Sequence, residues 1–137
     1  LEANGHEVVD YGVFDTLPAD YPDIAAVVAR DVAAGVVPQA VLVCGTGLGM
    51  AITANKVPGV RAASVSDPYS AERARKSNDA QVLCLGALVV GPSVATMLVD
   101  LWLAAEFKGG ASARKVAKID ALDADRRDRS SATDRNA

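Results

Sequence analysis

Apolar residues along the chain alternate between helical and strand-like spacing. From Pro22 to Gly35, the apolar positions 24, 27, 28 and 32 follow a helical period. Residues 40–44 and 81–85 are short continuous apolar runs, which are typical of strands buried on both faces of a sheet. The same patterns predict further helices over 49–56, 67–76, 92–105 and 112–123, and further strands over 6–11 and 60–65. Strands that alternate with helices predict an α/β fold with a parallel sheet.

The two ends of the chain depart from this alternation. The opening stretch, LEANGHEVVDYG, is typical of the last turn of a helix, a glycine cap at Gly5 and then a strand. A helix that starts at its own end predicts that upstream residues are missing from the sequence. Residues 124–137 carry no periodic apolar positions and predict a disordered polar tail. We therefore expect one domain over residues 1–123, followed by the tail.

Composition limits the partners that this domain is expected to have. The chain has 137 residues, half of them hydrophobic, and a formal charge of −3, which gives no support for binding nucleic acid. Its apolar runs are far shorter than a membrane span, so no membrane partner is expected. The two cysteines lie too far apart in sequence for a metal-ligand pair and form no disulfide framework. We expect reduced thiols in a cytoplasmic protein and no metal site.

The stretch VLVCGTGLGM, residues 41–50, carries the candidate chemistry. Glycines allow the backbone to approach a ligand closely, and the first amides of the following helix carry partial positive charge, so this turn predicts an anion site. The G-x-G-x-G spacing excludes a Walker loop and the dinucleotide fingerprint. Met50 stands where a cysteine phosphatase loop has its arginine.

Cys44 immediately precedes this glycine turn, which we define as residues 45–49. A thiolate beside a helix N-terminus can act as a nucleophile or as a general base. The turn amides and the Thr46 hydroxyl can bind an oxyanion that forms next to it, as proton abstraction beside a carbonyl requires. On these residues alone, a small buried side chain at a strand end is the simpler interpretation of Cys44.

Three longer stretches resemble one enzyme family. VCGTGLGMAITANKVPGVRAA, DPYSAERARKSNDAQVLCLGALVVGP and LPADYPDIA are similar to the ribose-5-phosphate isomerase B and galactose-6-phosphate isomerase family, over about residues 1–122. The resemblance implies a Rossmann-like three-layer sandwich, here without its first strand. It also implies a cofactor-free aldose–ketose isomerase that acts on a sugar phosphate. A homodimer or homotetramer, in which two subunits share each site, is implied as well.

The resemblance assigns roles to individual residues. Cys44 matches the base that moves a proton between C1 and C2 of the open-chain sugar, and Thr46 with the turn amides matches the groups that stabilise the cis-enediolate. The positions that match substrate contacts are Tyr21, Gly45, Gly47, Leu48, Gly49 and Asn78. Lys115 is expected to replace one of the family's phosphate-binding arginines and to contact the substrate in its place. Arg61 begins a predicted strand, and either a fold role or a phosphate-binding role explains it.

Three positions depart from the family pattern. Ser77 replaces a histidine that helps to open the furanose ring, and Leu88 and Ala111 replace arginines that bind phosphate. A tetrulose 4-phosphate cannot close a furanose ring through its phosphorylated oxygen, so these losses favour that substrate. The strings SND and SA-x-x-V-x-x-ID in this sequence resemble the branch of the family that isomerises erythrulose 4-phosphate. The alternative substrate is ribose 5-phosphate, whose phosphate would then be bound through altered contacts.

A second hypothesis belongs to another class of function. The same departures are expected of a non-catalytic sugar-phosphate binder, or of the partner subunit in a two-component isomerase. Retention of Cys44 and Thr46 favours the enzyme over this alternative.

Overall fold

The computed structural model describes the chain from residue 1 to residue 134, and its side chains to residue 124. The helices are α1 (Tyr21–Ala33), α2 (Leu48–Ala54), α3 (Pro68–Asn78), α4 (Pro92–Ala104) and α5 (Ala113–Asp134). The strands are β1 (Ala40–Cys44), β2 (Ala62–Ser64) and β3 (Val82–Gly86). Short 3-10 turns cover Glu2–Asn4 and Gly110–Ser112.

The three strands form a parallel sheet in the order β1-β3-β2. Every residue of β3 is buried, because helices cover both faces of the central strand. Residues of α1 and α2 make one buried cluster with Leu42 and Cys84, and residues of α3 and α4 make the other with Leu83 and Leu85. This arrangement confirms the predicted α/β sandwich with a parallel sheet.

Local sequence signals explain where the helices begin. Asp67 caps α3, since its side chain accepts a hydrogen bond from the Ser70 amide at 2.8 Å, and Pro68 occupies the first helical position. These hydrogen bonds lower the pKa of Asp67 below its usual value. Pro22 likewise lies in the first turn of α1. The helix starts predicted from these residues agree with the structure to within one residue.

The predicted strand over residues 6–11 is wrong. In the structure this segment belongs to no strand, and a cavity of about 400 Å³ lies between it and β1. Val8, Val41 and Val43 are among the residues that line this cavity. Of the described strands, only β3 pairs with β1, so the side of β1 that faces the cavity is open. An apolar pattern favours a strand, but a strand forms only where a partner lies within hydrogen-bonding distance, and here the cavity separates the segment from β1.

The C-terminal part of the chain also differs from the prediction. Helix α5 continues past the expected helix end at residue 123 and ends at Asp134. The helix packs against the rest of the fold through Val116, which is buried. The last three residues of the predicted tail, 135–137, lie outside the described part of the chain. Within that part, no helix is long and apolar enough to cross a membrane.

Candidate active site

Cys44 ends β1, so its side chain lies at the carboxyl end of the sheet, on the face covered by α1 and α2. The side chain is half-buried, whereas Cys84 on the neighbouring strand is fully buried. The Gly47 amide donates a hydrogen bond to Sγ of Cys44 at 3.2 Å. The sulfur therefore lies within the curve of the glycine turn, with a main-chain donor directed at it.

The glycine turn lies directly on the carboxyl ends of the strands, and there is no room for a side chain at Gly47 or Gly86. Gly47 has φ +77, and a Cβ added there would lie 2.9 Å from the carbonyl carbon of Leu85. A Cβ on Gly86 would lie 2.7 Å from the carbonyl carbon of Thr46. Glycine at both positions lets the turn approach β3 this closely. The chain then enters α2, whose first amides have no partner within the helix.

Tyr21 lies against the turn from the opposite side. It is the first residue of α1, and a Cβ added to Gly49 would fall 2.4 Å from its Cζ and 2.5 Å from its Oη. The phenol ring therefore rests on the backbone of Gly49. The structure thus brings Tyr21 beside the turn that begins after Cys44, although the two residues are far apart in the sequence.

The outer side of the turn is exposed. Thr46 accepts a hydrogen bond from the Leu48 amide at 3.4 Å, and the side chain of Leu48 is more than half exposed. Leu88 lies beside the turn as well, because its amide donates to the Gly45 carbonyl at 3.0 Å and its Cδ1 would be 3.5 Å from a Cβ on Gly45.

Sequence reasoning missed Ser64 as a member of this group. Ser64 ends β2, and its Oγ would lie 3.0 Å from a Cβ on Gly47. Its one signal in the sequence was its place at the end of a predicted strand, where ligands bind in open α/β sheets.

Two of the predicted substrate contacts lie at the opposite end of the sheet. Asn78 is the last residue of α3, and its carbonyl accepts a hydrogen bond from Arg61 Nε at 2.9 Å, just before β2 begins. Lys115 is exposed on α5, which reaches the same end of the sheet through an ion pair of Asp120 with Arg61 at 2.6 Å. A five-residue strand is about 16 Å long. One copy of the chain therefore does not place Asn78 beside Cys44.

We call Cys44, Thr46, Tyr21 and the rest of the glycine turn the carboxyl-end group, and Asn78 with Lys115 the amino-end group. Both the roles of these residues and their joint action on a substrate remain predictions. The structure establishes that they fall into two sets, separated by the length of the sheet.

The fold explains Asn55 and the second cysteine. Asn55 accepts from the Ala62 amide at 2.9 Å and donates to the Ala62 carbonyl at 2.8 Å, which ties the end of α2 to β2. Burial, with the electrostatic effect of nearby Cys44 as a smaller cause, raises the pKa of Cys84 to about 12. Within the described residues, no group of three or more His, Cys, Asp or Glu side chains is arranged to hold a metal.

A half-buried thiol in a glycine turn at the carboxyl ends of parallel strands agrees with one known family. The sequence profile described as Ribose/Galactose Isomerase matches residues 1–119. The chain belongs to this ribose/galactose isomerase family.

Individual family members agree with this assignment. The isomerase is 50% identical over 123 residues to ribose-5-P isomerase B of Listeria innocua, with 90% of this chain and 83% of the relative covered. It is 51% identical over 120 residues to D-erythrulose-4-phosphate isomerase of Pectobacterium atrosepticum, with 87% and 79% covered. The structure of ribose-5-phosphate isomerase B from Clostridium thermocellum superposes with a TM-score of 0.88 at 44% identity, with 90% and 84% covered. The predicted family, the Rossmann-like fold and the isomerase class are confirmed.

In this isomerase, the three departures from the family pattern lie in different places. Leu88 is 87% exposed at the carboxyl end, beside Gly45. Ser77 directly precedes Asn78 at the amino end, and Ala111 lies in the 3-10 turn before α5. The chemical differences therefore affect both groups of residues.

Proposed function

We propose that this isomerase interconverts a phosphorylated aldose and ketose by proton transfer through a cis-enediolate, with Cys44 as the base. The observation that carries the proposal is the half-buried sulfur of Cys44, which accepts a hydrogen bond from Gly47 inside the glycine turn. A base beside main-chain donors suits this reaction, because negative charge appears on an oxygen next to the carbon that loses its proton.

The reaction requires one group to act in both directions. The Cys44 thiolate removes the proton from C2 of the open-chain aldose, and the electrons of that C–H bond move to the carbonyl oxygen. The amides of the glycine turn and the Thr46 hydroxyl hold the resulting enediolate oxygens. The proton of the C2 hydroxyl passes to the C1 oxygen, and the thiol returns its own proton to C1, which yields the C2 ketone with a C1 hydroxyl and restores the thiolate. No cofactor takes part in this sequence of steps.

The site is completed by a second copy of the chain, in a homodimer or homotetramer with shared sites. The separation of the two groups by a strand length supports this part of the proposal, since one copy cannot supply both to one small substrate. Asn78 and Lys115 are exposed at the amino end, and Thr46 and Leu48 are exposed at the carboxyl end. Both groups are therefore accessible to another molecule.

A tetrulose 4-phosphate is the substrate that the residues favour, and ribose 5-phosphate is the second candidate. Ser77 cannot act as a ring-opening acid in the way that histidine does, and a tetrulose 4-phosphate needs no ring opening. Leu88 offers no charge to a phosphate. The name of the Pectobacterium relative agrees with the four-carbon substrate, and that of the Listeria relative with the five-carbon one. We place the protein in the cytoplasm, where thiols remain reduced.

Isomerisation assays in deuterated water test the proposed chemistry. D-erythrulose 4-phosphate, ribose 5-phosphate and galactose 6-phosphate are compared side by side, and deuterium is measured in substrate and product. We expect turnover and deuterium uptake with one of the first two. C44S should fold normally and lose about 10²-fold or more in kcat, whereas C84A, which removes the buried thiol, should remain active. Near-normal activity of C44S, or binding of a sugar phosphate without deuterium uptake, would contradict the proposal.

Mixing two inactive variants tests the shared site. C44S loses the carboxyl-end group and N78A loses the amino-end group. A mixed dimer of the two contains one site with both groups intact and one with neither. Random reassociation of equal amounts should therefore restore about a quarter of the wild-type sites. Failure of the mixture to regain activity would exclude a site shared between copies.

A further inference from the structure

We infer that Arg61 is a positioning residue, which fixes Asn78 at the amino end of the sheet for use in the active site. The inference rests on the proposed shared site. Arg61 lies between the end of α2 and the start of β2, and it does not belong to either group defined above. Its side chain is only 14% exposed, although it carries a charge.

The guanidinium of Arg61 joins three parts of the fold. Nε donates to the Asn78 carbonyl at 2.9 Å, and Nη2 donates to the Asp79 carbonyl at 3.1 Å and to the Asp79 carboxylate at 3.2 Å. Nη1 binds the Asp120 carboxylate on α5 at 2.6 Å. The main-chain amide of Arg61 donates to Gln81 Oε1 at 2.8 Å, which attaches the residue to the start of β3.

These contacts supply hydrogen-bond donors to the carbonyl groups at the end of α3. The last carbonyls of a helix have no partner within it and carry partial negative charge, so a cation at this position is favourable. Arginine can contact several of them at once because its donors form a planar fork. Arg61 holds the carbonyl of Asn78 itself, so it fixes the main chain from which the Asn78 side chain projects.

The residue that follows Asn78 needs this support. Asp79 has φ +48, in the left-handed region that residues other than glycine rarely adopt. Its carboxylate binds both Arg61 and Arg75, the latter at 2.8 Å. The turn from α3 into β3 is therefore held by two cations, of which Arg61 alone also contacts Asn78.

The same network determines the position of α5. Asp120 binds Arg61, and Asp123 accepts a hydrogen bond from the Gly59 amide at 2.7 Å. Lys115 lies on this helix, so one cation connects both members of the amino-end group. Two carboxylates, from Asp79 and Asp120, already bind the guanidinium of Arg61. Arg61 therefore serves the fold of the site and is not the group that binds the substrate phosphate.

The test combines kinetics with mixing. R61K retains the charge but lacks the fork that holds Asn78, Asp79 and Asp120 together. We expect kcat/KM to fall by about tenfold or more, since small displacements of a positioned group are costly. The parameter that changes, kcat or KM, should be the one that changes in N78A. D120N removes the link to α5 alone and should leave the parameter governed by Asn78 closer to the wild-type value.

Mixing then distinguishes positioning from general damage. R61K mixed with C44S should regain activity, because R61K supplies an intact carboxyl end and C44S an intact amino end. R61K mixed with N78A should not regain activity. If R61K folds poorly, D79N takes its place in the test. This variant keeps Arg61 but weakens its contact with residue 79, and it should show the same pattern of recovery on mixing to a smaller degree.

Each outcome decides the inference. Wild-type activity of R61K overturns it. If the control mixture of C44S and N78A regains activity but R61K with C44S does not, Arg61 does not act through the amino-end group, while the proposed function stands. If the control mixture also stays inactive, the shared site is refuted and this inference with it.

Discussion

Alanine at Gly49 is expected to separate activity from stability in this protein. The added methyl group would occupy space now filled by the ring of Tyr21, at 2.4 Å from Cζ. That distance is about 1 Å short of ordinary van der Waals contact. Gly49 does not have a positive φ and lies within α2, so the backbone can accept alanine without strain.

The size of the expected loss of activity depends on how far the Tyr21 ring can move. Tyr21 is 44% exposed, so its ring can swing away from the turn by the required distance of about 1 Å. A displacement of this size in a substrate-positioning group reduces the rate by about 10²-fold. In contrast, replacing glycine by alanine within a helix favours folding by about 0.5–1 kcal/mol. We therefore expect G49A to lose most of its activity and none of its stability.

A double-mutant cycle measures whether Tyr21 transmits the effect. The values of kcat/KM are determined for the wild type, G49A, Y21A and the double variant, with thermal unfolding followed in parallel. A 10²-fold loss that disappears in the Y21A background corresponds to a coupling of about 2.7 kcal/mol. G91A is a matched control, since a methyl group at Gly91 meets no atom within 4 Å.

Two outcomes would refute this reasoning. Wild-type activity of G49A would show that the ring position is unimportant for turnover. An equal loss in the presence and absence of the Tyr21 ring would show that the methyl group acts on the glycine turn itself.

Two further predictions concern the fold. Trp102 is fully buried and donates from Nε1 to the Ala80 carbonyl at 3.1 Å, so W102F should lower the free energy of unfolding by about 1–3 kcal/mol in urea denaturation, and an unchanged midpoint would contradict this. D67A should lower the urea midpoint at pH 7, because it removes the cap on the Ser70 amide, whereas D67S should restore it. Since the pKa of Asp67 is lowered in the folded state, its contribution is complete above the usual value of 3.8 and is lost as pH falls below it, so the midpoints of D67A and the wild type should converge there. A difference that persists unchanged to low pH would exclude an ionised cap.

Features that depend on adjacent residues could be predicted from the sequence. The apolar run of β3, the Asp67 cap and the turn after Cys44 each use signals within a few positions of one another. The segment 6–11 has an equally good strand pattern, but pairing depends on what lies beside it in space, which periodicity does not report. Helix α5 shows the opposite case, because it continues to Asp134 although no apolar stripe is present there to indicate a helix.

The same distinction holds for the candidate active site: its contiguous residues could be predicted from the sequence, and its contacts between distant elements could not. Cys44 and the glycine turn are contiguous, so the sequence alone indicated their chemistry. Contact between Tyr21 and Gly49, and the place of Ser64 beside Gly47, arise only from packing of distant elements. The resemblance to a family pointed to Asn78, but the parallel topology was needed to show that this residue lies a full strand length from Cys44.

The open side of β1 has a consequence for handling the protein. A strand whose amides and carbonyls lack partners can act as a template for another extended chain. Val43, which is 53% exposed beside the cavity, adds an apolar surface to this template. For a chain that begins at residue 1, self-association at high concentration should therefore start on this side of the molecule, and V43K should suppress it.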